Sequence, residues 1–233
     1  MERSKFIEQV TPYFIQHGYK TLRVEEISKL TGFSLKSIYN MFPGKSSIIS
    51  SVLNHRNKLL LRMGEEIKIH STNAVHNYIL LMLKSGEFIP FEQQLENLHQ
   101  LQKFYPEHYQ DNLIELKNII ASILDGIVIR GQEEGFFRLI DQRISVELGT
   151  LNYLNLIIPN FLSPDFKFDP ELHKKALIIN FVQYLRSILT TKGHQQLKLM
   201  QPVVEHFMNN TPNSFENAYR ELADGLWPAG RKG

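Results

Sequence analysis

Residues 24–45 read VEEISKLTGFSLKSIYNMFPGK. The apolar spacing predicts a short helix over residues 24–31, and Gly32 supplies the left-handed residue that ends it. Ser34 is a good N-cap for a second short helix over residues 35–41. A glycine-containing turn of about three residues sets two such helices at a steep angle, which is the arrangement of a helix-turn-helix.

The second helix of this pair has the size of a DNA-recognition helix. It spans about eight residues, roughly 12 Å, which is about the width of the major groove of B-DNA. We expect Ile38 and Met41 to face inward. The side chains expected on the exposed side are Leu35, Lys36, Ser37 and Asn40, all polar except Leu35.

A longer pattern surrounds this turn. It comprises Gly18-Tyr19, Val24-Glu25-Glu26-Ile27, Thr31-Gly32-Phe33-Ser34 and Ile38-Tyr39-Asn40-Met41-Phe42-Pro43-Gly44-Lys45. It resembles the DNA-binding signature of the TetR family of bacterial transcriptional regulators, and the Tyr-x-x-Phe-x-x-Lys ending is its most specific part. Because the sequence shows neither a signal-peptide pattern nor a membrane span, we expect a cytoplasmic protein. The resemblance implies a homodimer of all-α subunits. Such a dimer binds a palindromic operator in double-stranded DNA and is usually released from it by a small-molecule effector.

The resemblance also implies a role for individual residues. Tyr39 and Lys45 match the family's contacts to backbone phosphates, although packing of Tyr39 in the core and solvation of Lys45 at a turn are the alternatives. Leu35 is either a contact to a thymine methyl group or an ordinary exposed apolar residue. The face of the recognition helix matches Ser34, Leu35, Lys36, Ser37 and Asn40.

The sequence departs from the family's pattern at several positions. Leu22 and Arg23 stand where the family usually has two hydroxyl residues, which puts the N-cap of the first short helix in doubt. Ser28 replaces a common alanine, and Leu35-Lys36 replaces a frequent Lys/Arg-Gly pair. Pro12 lies inside the predicted first helix, where we expect a kink or a local break.

The charge of the chain is distributed unevenly. Its formal net charge is +2, but residues 1–62 carry ten Lys or Arg and four acidic residues, a net of +6. The other 171 residues carry 16 Lys or Arg and 20 acidic residues, a net of −4. A basic amino-terminal quarter suggests a module that faces a polyanion, whereas chance asymmetry on a solvated surface is the alternative.

Helical periodicity continues along the chain, and strand patterns bounded by turns are absent, so we predict an all-α fold. The predicted domains are a helix-turn-helix DNA-binding domain over 1–46, a helical effector-binding and dimerisation domain over 47–227 and a frayed tail over 228–233. Besides the two short helices, we predict helices over about 4–17, from Ser46 or Ser47 to about His70, and near 73–85, 91–104, 106–130, 141–158, 171–191, 195–208 and 213–226.

Two of these helices have apolar arcs too wide for a single core-facing stripe. From Ala176 to Leu189, ten of fourteen residues are apolar or tyrosine, and the helix over 141–158 is similar. Such helices are buried on two sides, and two per subunit can form an intersubunit four-helix bundle. Burial within one large monomeric core is the alternative. The predicted dimer interface comprises Leu151, Leu154, Ile178, Phe181, Val182, Leu185 and Leu189.

A ligand pocket is predicted among the helices of the second domain. It would be mostly apolar with few polar anchors, which suits a hydrophobic or amphipathic effector. For each aromatic or methionine residue, ordinary core packing is the alternative. For each polar residue, the alternative is a solvated surface position. The predicted pocket residues are Tyr78, Met82, Phe104, Tyr109, Glu115, Asn118, Glu147 and Asn152.

Other classes of protein find little support in the sequence. Without cysteine there is no thiolate metal site, iron–sulfur cluster or cysteine nucleophile, and the histidine spacing does not favour a metal site. No nucleophile elbow, phosphate loop or dinucleotide fingerprint is present. We therefore expect no enzymatic activity, no cofactor, no metal and no membrane partner. The apolar runs also fall far short of the ~20 residues of a membrane span.

Two readings other than an effector-controlled repressor stay open. One is a DNA-binding protein of the same fold without an effector, acting in chromosome or division control. The other is a small-molecule binding protein in which the basic module no longer binds DNA, a reading favoured by Leu22-Arg23 and Leu35-Lys36.

Overall fold

The computed structural model describes residues 2–87, 91–157 and 170–209. Apart from one isolated bridge between Phe137 and Leu189, this part of the chain is built from helices and their connections. No helix within it has both the length and the apolar character needed to span a lipid bilayer. The helices are α1 (Glu2–Thr21), α2 (Val24–Thr31), α3 (Leu35–Met41), α4 (Lys45–His70), α5 (Ala74–Glu87), α6 (Phe91–Phe104), α7 (Pro106–Glu133), α8 (Gln142–Ile157), α9 (Pro170–Ile188) and α10 (Thr191–Asn209).

Several helix boundaries follow the local sequence signals. The helices α2, α3 and α6 begin and end at the predicted residues. The all-α fold class is therefore confirmed. The helix predicted over 213–226 and the tail predicted over 228–233 lie outside the described residues, and the predicted domain boundaries stay predictions.

The break predicted at Pro12 is wrong. The backbone of α1 is helical there, and the only residue of α1 with non-helical angles is Gly18, whose φ is 78°. Pro12 is exposed, so the carbonyl group that its missing N–H leaves unpaired lies where water can bind it. The helical interruption therefore falls at the glycine, which adopts a positive φ without steric cost.

The first compact unit contains α1 to α3, α4 as far as Glu66, α6, α7 as far as Ile123 and the end of α8 from Tyr153. An aromatic cluster marks its centre, where the Phe6 ring lies 5.4 Å from the Phe33 ring and 5.2 Å from the Phe42 ring, centroid to centroid. The core of this unit comprises Phe6, Ile7, Val10, Phe14, Tyr19, Leu22, Val24, Ile27, Ile38, Phe42, Ile48, Ile49, Val52, Leu53, Leu98, Leu101 and Tyr109.

Polar side chains of α6 bind α1 next to Gly18. The amide of Asn97, which is 1% exposed, donates to the Ile15 carbonyl oxygen at 2.9 Å. The Gln100 side-chain oxygen accepts from the Lys20 backbone N–H at 3.0 Å, and a Cβ atom on Gly18 would overlap the same amide group. Hydrogen bonds thus fix the position of α6 along α1, in addition to apolar packing.

The second compact unit contains α4 from Ile67, α5, α7 from Leu124, α8 as far as Asn152, α9 and α10. Its central helix is α5, which packs against α9 and α10. The buried residues of α5 include nearly every side chain described between its start and Leu83: Ala74, Val75, Asn77, Tyr78, Ile79, Leu80, Leu81, Met82 and Leu83.

A charged network closes one end of the second unit. The Arg130 guanidinium donates to the Glu134 carboxylate at 2.7 Å and to the Ser71 hydroxyl at 2.8 Å. The other oxygen of Glu134 accepts from the backbone N–H of Ala74 at 2.8 Å. A carboxylate at the first residue of α5 complements the positive end of the helix dipole, so this ion pair on α7 also caps α5.

His76 takes part in the start of the same helix. Its Nδ1 atom accepts a hydrogen bond from the Thr72 backbone N–H at 3.1 Å, which requires an unprotonated nitrogen. Burial lowers the pKa of His76 below its usual 6.5, and the positive charge of Arg130 lowers the pKa further. His76 is therefore held in its neutral form.

The start of α10 differs from the prediction, which placed Gly193 in a joint and the helix from about residue 195. The helix begins at Thr191, and the Thr190 hydroxyl accepts from the Gly193 N–H at 3.1 Å and donates to the Gly135 carbonyl oxygen at 2.8 Å. Gly193 lies against the backbone of Phe136, and a Cβ atom there would overlap the Phe136 carbonyl oxygen. The glycine permits a close approach and does not break the helix.

We expect Gly193→Ala to destabilise the protein by about 1–3 kcal/mol, because the added methyl group meets backbone that cannot rotate away. Gly126 is the matched control, since it lies inside α7 with open space at its Cβ position. Gly126→Ala should stabilise by about 0.5–1 kcal/mol through helix propensity alone. Thermal unfolding followed by circular dichroism measures both, and two changes of the same sign would contradict the packing described at Gly193.

The lowered pKa of His76 predicts that the stability of the protein depends on pH. Because the folded pKa of His76 is below 6.5, the folded state binds fewer protons than the unfolded state between these two pKa values. The free energy of unfolding should therefore fall as the pH is lowered from about 7.5 through 6.5. His76→Gln keeps an acceptor but does not titrate, so the fall should be smaller in this variant. Equal pH slopes for wild type and variant would refute this role of His76.

Candidate nucleic-acid interface

Side-chain hydrogen bonds fix the turn between α2 and α3. Gly32 has a φ of 73° and its N–H donates to the Ser28 carbonyl oxygen at 3.0 Å, which ends α2 as the sequence predicts. The Ser28 hydroxyl donates to the Phe33 carbonyl oxygen at 2.6 Å, across the turn. Ser28, a departure from the family's usual alanine, thus contributes a bond that alanine could not make.

The start of α2 also accounts for the departure at Leu22-Arg23. Leu22 is buried in the core, and Arg23 occupies the N-cap position with an exposed side chain. An arginine side chain cannot accept a hydrogen bond, but Glu26 reaches back and accepts from the Arg23 backbone N–H at 2.7 Å. The helix is therefore capped by its own third residue and does not need a hydroxyl at the cap.

The predicted recognition helix α3 is anchored on one side and exposed on the other. Ser34 caps it by accepting from the Ser37 N–H at 3.1 Å, and Ile38 is fully buried. Side chains at 34, 35, 36, 39 and 40 are exposed, with Tyr39 at 50% and Leu35 at 38%, while Ser37 is half-buried. The exposed surface of α3 and its cap is therefore formed by Ser34, Leu35, Lys36, Tyr39 and Asn40, with Ser37 at its edge.

Lys45 stands at the first residue of α4 and is half-buried. Its ammonium group donates to the Lys20 carbonyl oxygen at 2.9 Å and lies 6.0 Å from the centroid of the Tyr105 ring. Burial lowers the pKa of Lys45, and the carboxylate of Glu26 acts in the opposite direction. One of the three ammonium N–H groups is used within the protein, which leaves two for another acceptor.

Arg3 is a further cation near the end of α3. In the structure it lies in α1, with its guanidinium 4.7 Å from the centroid of the Phe42 ring and hydrogen-bonded to the Ser51 hydroxyl at 3.2 Å. Phe42 follows α3 directly, so this cation lies beside the carboxy-terminal end of α3. Sequence spacing alone could not place it there, because the contact joins residues 39 positions apart.

The predicted pocket residues are divided between the two compact units. Phe104, Tyr109, Glu115 and Asn118 belong to the first unit, and Tyr78, Met82, Glu147 and Asn152 to the second. Tyr78, Met82 and Tyr109 are buried, and Asn152 accepts a hydrogen bond from Asn180. The exposed members are Phe104, Glu115, Asn118 and Glu147. A pocket formed by these eight residues stays a prediction.

The predicted dimer residues differ in their exposure. Leu151 is 45% exposed, and Leu154 and Val182 are half-buried. The other four, Ile178, Phe181, Leu185 and Leu189, are buried within the chain. A groove of about 410 Å³ lies between α9 and α10, lined by Ile178, Ile179, Val182, Leu197 and Val204 together with polar side chains. The interface itself stays a prediction.

Removal of the cap of α3 should cost stability. We expect Ser34→Ala to lower the free energy of unfolding by about 1 kcal/mol, since the Ser37 N–H loses its acceptor. Ser34→Asp retains an acceptor and places a negative charge at the helix start, so its stability should stay near that of wild type. Urea denaturation of both variants measures this, and an equal loss in the two would mean that the cap is not the cause.

Comparisons with known proteins identify the fold. No protein-family model matches this chain, and no curated protein is significantly similar to it. Among solved structures, a transcriptional regulator from Cytophaga hutchinsonii is 19% identical, with a TM-score of 0.67 over 81% of this chain and 99% of that chain. A regulatory protein TetR from Rhodobacter sphaeroides is 16% identical, with a TM-score of 0.62 over 80% of this chain and 98% of that one.

A third similar structure is a TetR-family transcriptional regulator from Streptomyces coelicolor, which is 14% identical with a TM-score of 0.60 and covers 80% of this chain and 95% of that chain. The structural match extends over nearly the whole length of each of these three neighbours, so it is not confined to the amino-terminal helices. The chain therefore has the TetR-type fold, in which a helix-turn-helix module is joined to a larger helical domain.

Proposed function

We propose that this chain is a sequence-specific DNA-binding transcriptional regulator of the TetR family. The observation that carries the proposal is the exposed polar surface of α3, which is presented by a helix that is capped at Ser34 and anchored in the core by Ile38. Lys36 and Asn40 on this surface are the side chains that can read base edges in the major groove. Tyr39 and Lys45 supply contacts to the backbone phosphates beside them.

The protein acts as a homodimer in this proposal, because one short recognition helix provides too little affinity for a specific site. Exposed apolar residues on α8 support a second copy as partner. Ile144, Leu148 and Leu151 are 56%, 53% and 45% exposed and lie three or four residues apart, which places them on one side of the helix. Ile179 on α9 is 52% exposed. Exposed stripes of this kind mark interaction sites, and a dimer favours a palindromic operator.

A small effector releases the protein from its operator in this proposal, which makes it a repressor. The interior of the second unit offers polar groups for such a ligand. The hydroxyl groups of Tyr78 and Thr150 are buried and have no hydrogen-bond partner within the described residues. An unsatisfied buried hydroxyl is costly, so a ligand that gave these two groups a hydrogen-bonding partner would relieve that cost.

Selection of the purified protein against random-sequence duplex DNA tests the proposal. We expect a palindrome to be enriched, with half-site centres about one helical turn, or ~34 Å, apart or somewhat more. Lys36→Ala and Asn40→Ala should each relax the preference at particular base pairs by about 1–3 kcal/mol.

Lys58→Gln provides the control, because Lys58 is an exposed lysine on α4 outside the recognition surface. This variant should enrich the same sequence as wild type. If wild type enriches no sequence, and its DNA binding vanishes as salt is raised, the proposal is overturned in favour of a binding protein whose helix-turn-helix no longer reads DNA.

A further inference from the structure

Two ammonium groups lie beside one aromatic ring where α6 meets α7, and a third contacts the backbone of one of these lysines. The nitrogen of Lys20 lies 4.7 Å from the centroid of the Phe104 ring, and that of Lys103 lies 5.6 Å from the same centroid. The ammonium group of Lys45 donates to the backbone carbonyl of Lys20 at 2.9 Å. We refer to Lys20, Lys45, Lys103 and Phe104 as the joint cluster.

The charges of the joint cluster are largely uncompensated. Within the described part of the chain, neither Lys20 nor Lys103 forms an ion pair with a carboxylate. Glu26 is the acidic residue that acts on Lys45, and its carboxylate also accepts the Arg23 N–H. The ammonium groups of Lys20 and Lys103 lie 4.7 and 5.6 Å from one ring centroid, and like charges placed in this way repel each other. A bound anion would relieve this repulsion.

Hydrogen bonds and ring stacking hold the joint cluster in place. The Gln100 side chain accepts the Lys20 backbone N–H at 3.0 Å, which ties the end of α1 to α6. The Ser46 hydroxyl and His108 Nε2 are 2.6 Å apart, and the rings of Tyr105 and His108 stack with centroids 6.3 Å apart. The first turn of α7 is thus bound to the first turn of α4, which fixes the backbone that carries Lys45 relative to the α6–α7 joint that carries Lys103.

The position of the cluster indicates its ligand. Lys45 begins α4 three residues after Phe42, which follows the recognition helix, and Lys20 lies just before α2. Lys45, a phosphate contact in the proposed function, thus donates directly to the Lys20 carbonyl, and the Lys20 side chain shares the Phe104 ring with Lys103. Through these contacts the cluster adjoins the surface that the proposed function assigns to DNA. Lysine binds phosphate as a point charge, and such contacts position a duplex without reading its sequence.

We propose that Lys20 and Lys103 each contact a backbone phosphate of the bound duplex, so that the joint between α6 and α7 extends the DNA-binding surface beyond the helix-turn-helix. This inference rests on the proposed function, because the duplex must lie against α3 for the joint to meet it. Phe104, which is 39% exposed, holds the two ammonium groups in position through its ring face.

The double variant K20Q/K103Q of the full chain tests this inference. Its binding to a mixed-sequence duplex of about 30 base pairs is measured by fluorescence anisotropy at several salt concentrations. Two lost phosphate contacts should make the slope of log K against log salt less negative by about 1.8 per bound chain. The sequence enriched from random DNA should stay that of wild type, because these contacts carry no base information.

The matched control is K58Q/K68Q, which removes the same charge from exposed positions of α4. Lys58 lies 13 residues beyond Lys45, or about 20 Å along the helix. This control should keep the wild-type slope. Circular dichroism reports whether each variant is folded. K103Q alone leaves α1 intact and removes one of the two contacts, so it should make the slope less negative by about half as much, ~0.9.

The outcomes separate the inference from the proposed function. A folded double variant with the wild-type slope overturns the joint as a contact surface and leaves the helix-turn-helix proposal in place. An equal change in the control overturns it as well, since net charge alone would then account for the effect. A reduced slope in a protein that enriches no sequence supports the joint contact and overturns the sequence-specific regulator. A wild-type protein that binds no duplex overturns both.

Discussion

At Gly18 the side-chain amide of Gln100 occupies the space that a Cβ atom would need, and its oxygen accepts the backbone N–H of Lys20. Together with the Asn97 bond to the Ile15 carbonyl, this contact sets the height of α6 along α1. The apolar residues Leu98 and Leu101 consequently lie in the same core as the helix-turn-helix. The packing of the first unit therefore depends on a residue that has no side chain and a positive φ.

The same contact determines which surfaces the first unit presents. Because α6 is fixed on α1, the start of α7 lies against the start of α4, where Ser46 contacts His108. Ile38 within α3 and Phe42 directly after it are buried and orient this helix, so its outer face stays exposed. The core that stabilises the module and the surface that would read DNA thus lie on opposite faces of one short helix.

The sequence predicted those parts of the structure that depend on neighbouring residues. Gly32 and Ser34 mark the turn between α2 and α3 through backbone geometry and capping, which are local properties. Side-chain burial depends on which helices pack together, and periodicity does not contain this information. Periodicity therefore could not indicate that Glu115 and Asn118, which we predicted as pocket anchors, have exposed side chains. The wide apolar arc of α9 likewise could not indicate that Phe181 and Leu185 are buried within the chain while Ile179 is exposed.

Lys45 illustrates how a poor local fit can point to a ligand. A cation at the first residue of α4 opposes the helix dipole, at a cost of a few tenths to about 1 kcal/mol. Burial disfavours its charge, as its lowered pKa indicates, and the Lys20 carbonyl, the Tyr105 ring and the carboxylate of Glu26 compensate in part. A phosphate placed beside this ammonium group would reverse each of these terms, because helix N-termini and cations both attract anions. Sequences tend to break local rules at functional sites. The interactions that make Lys45 unfavourable in the protein alone are therefore the ones that would favour DNA at this position.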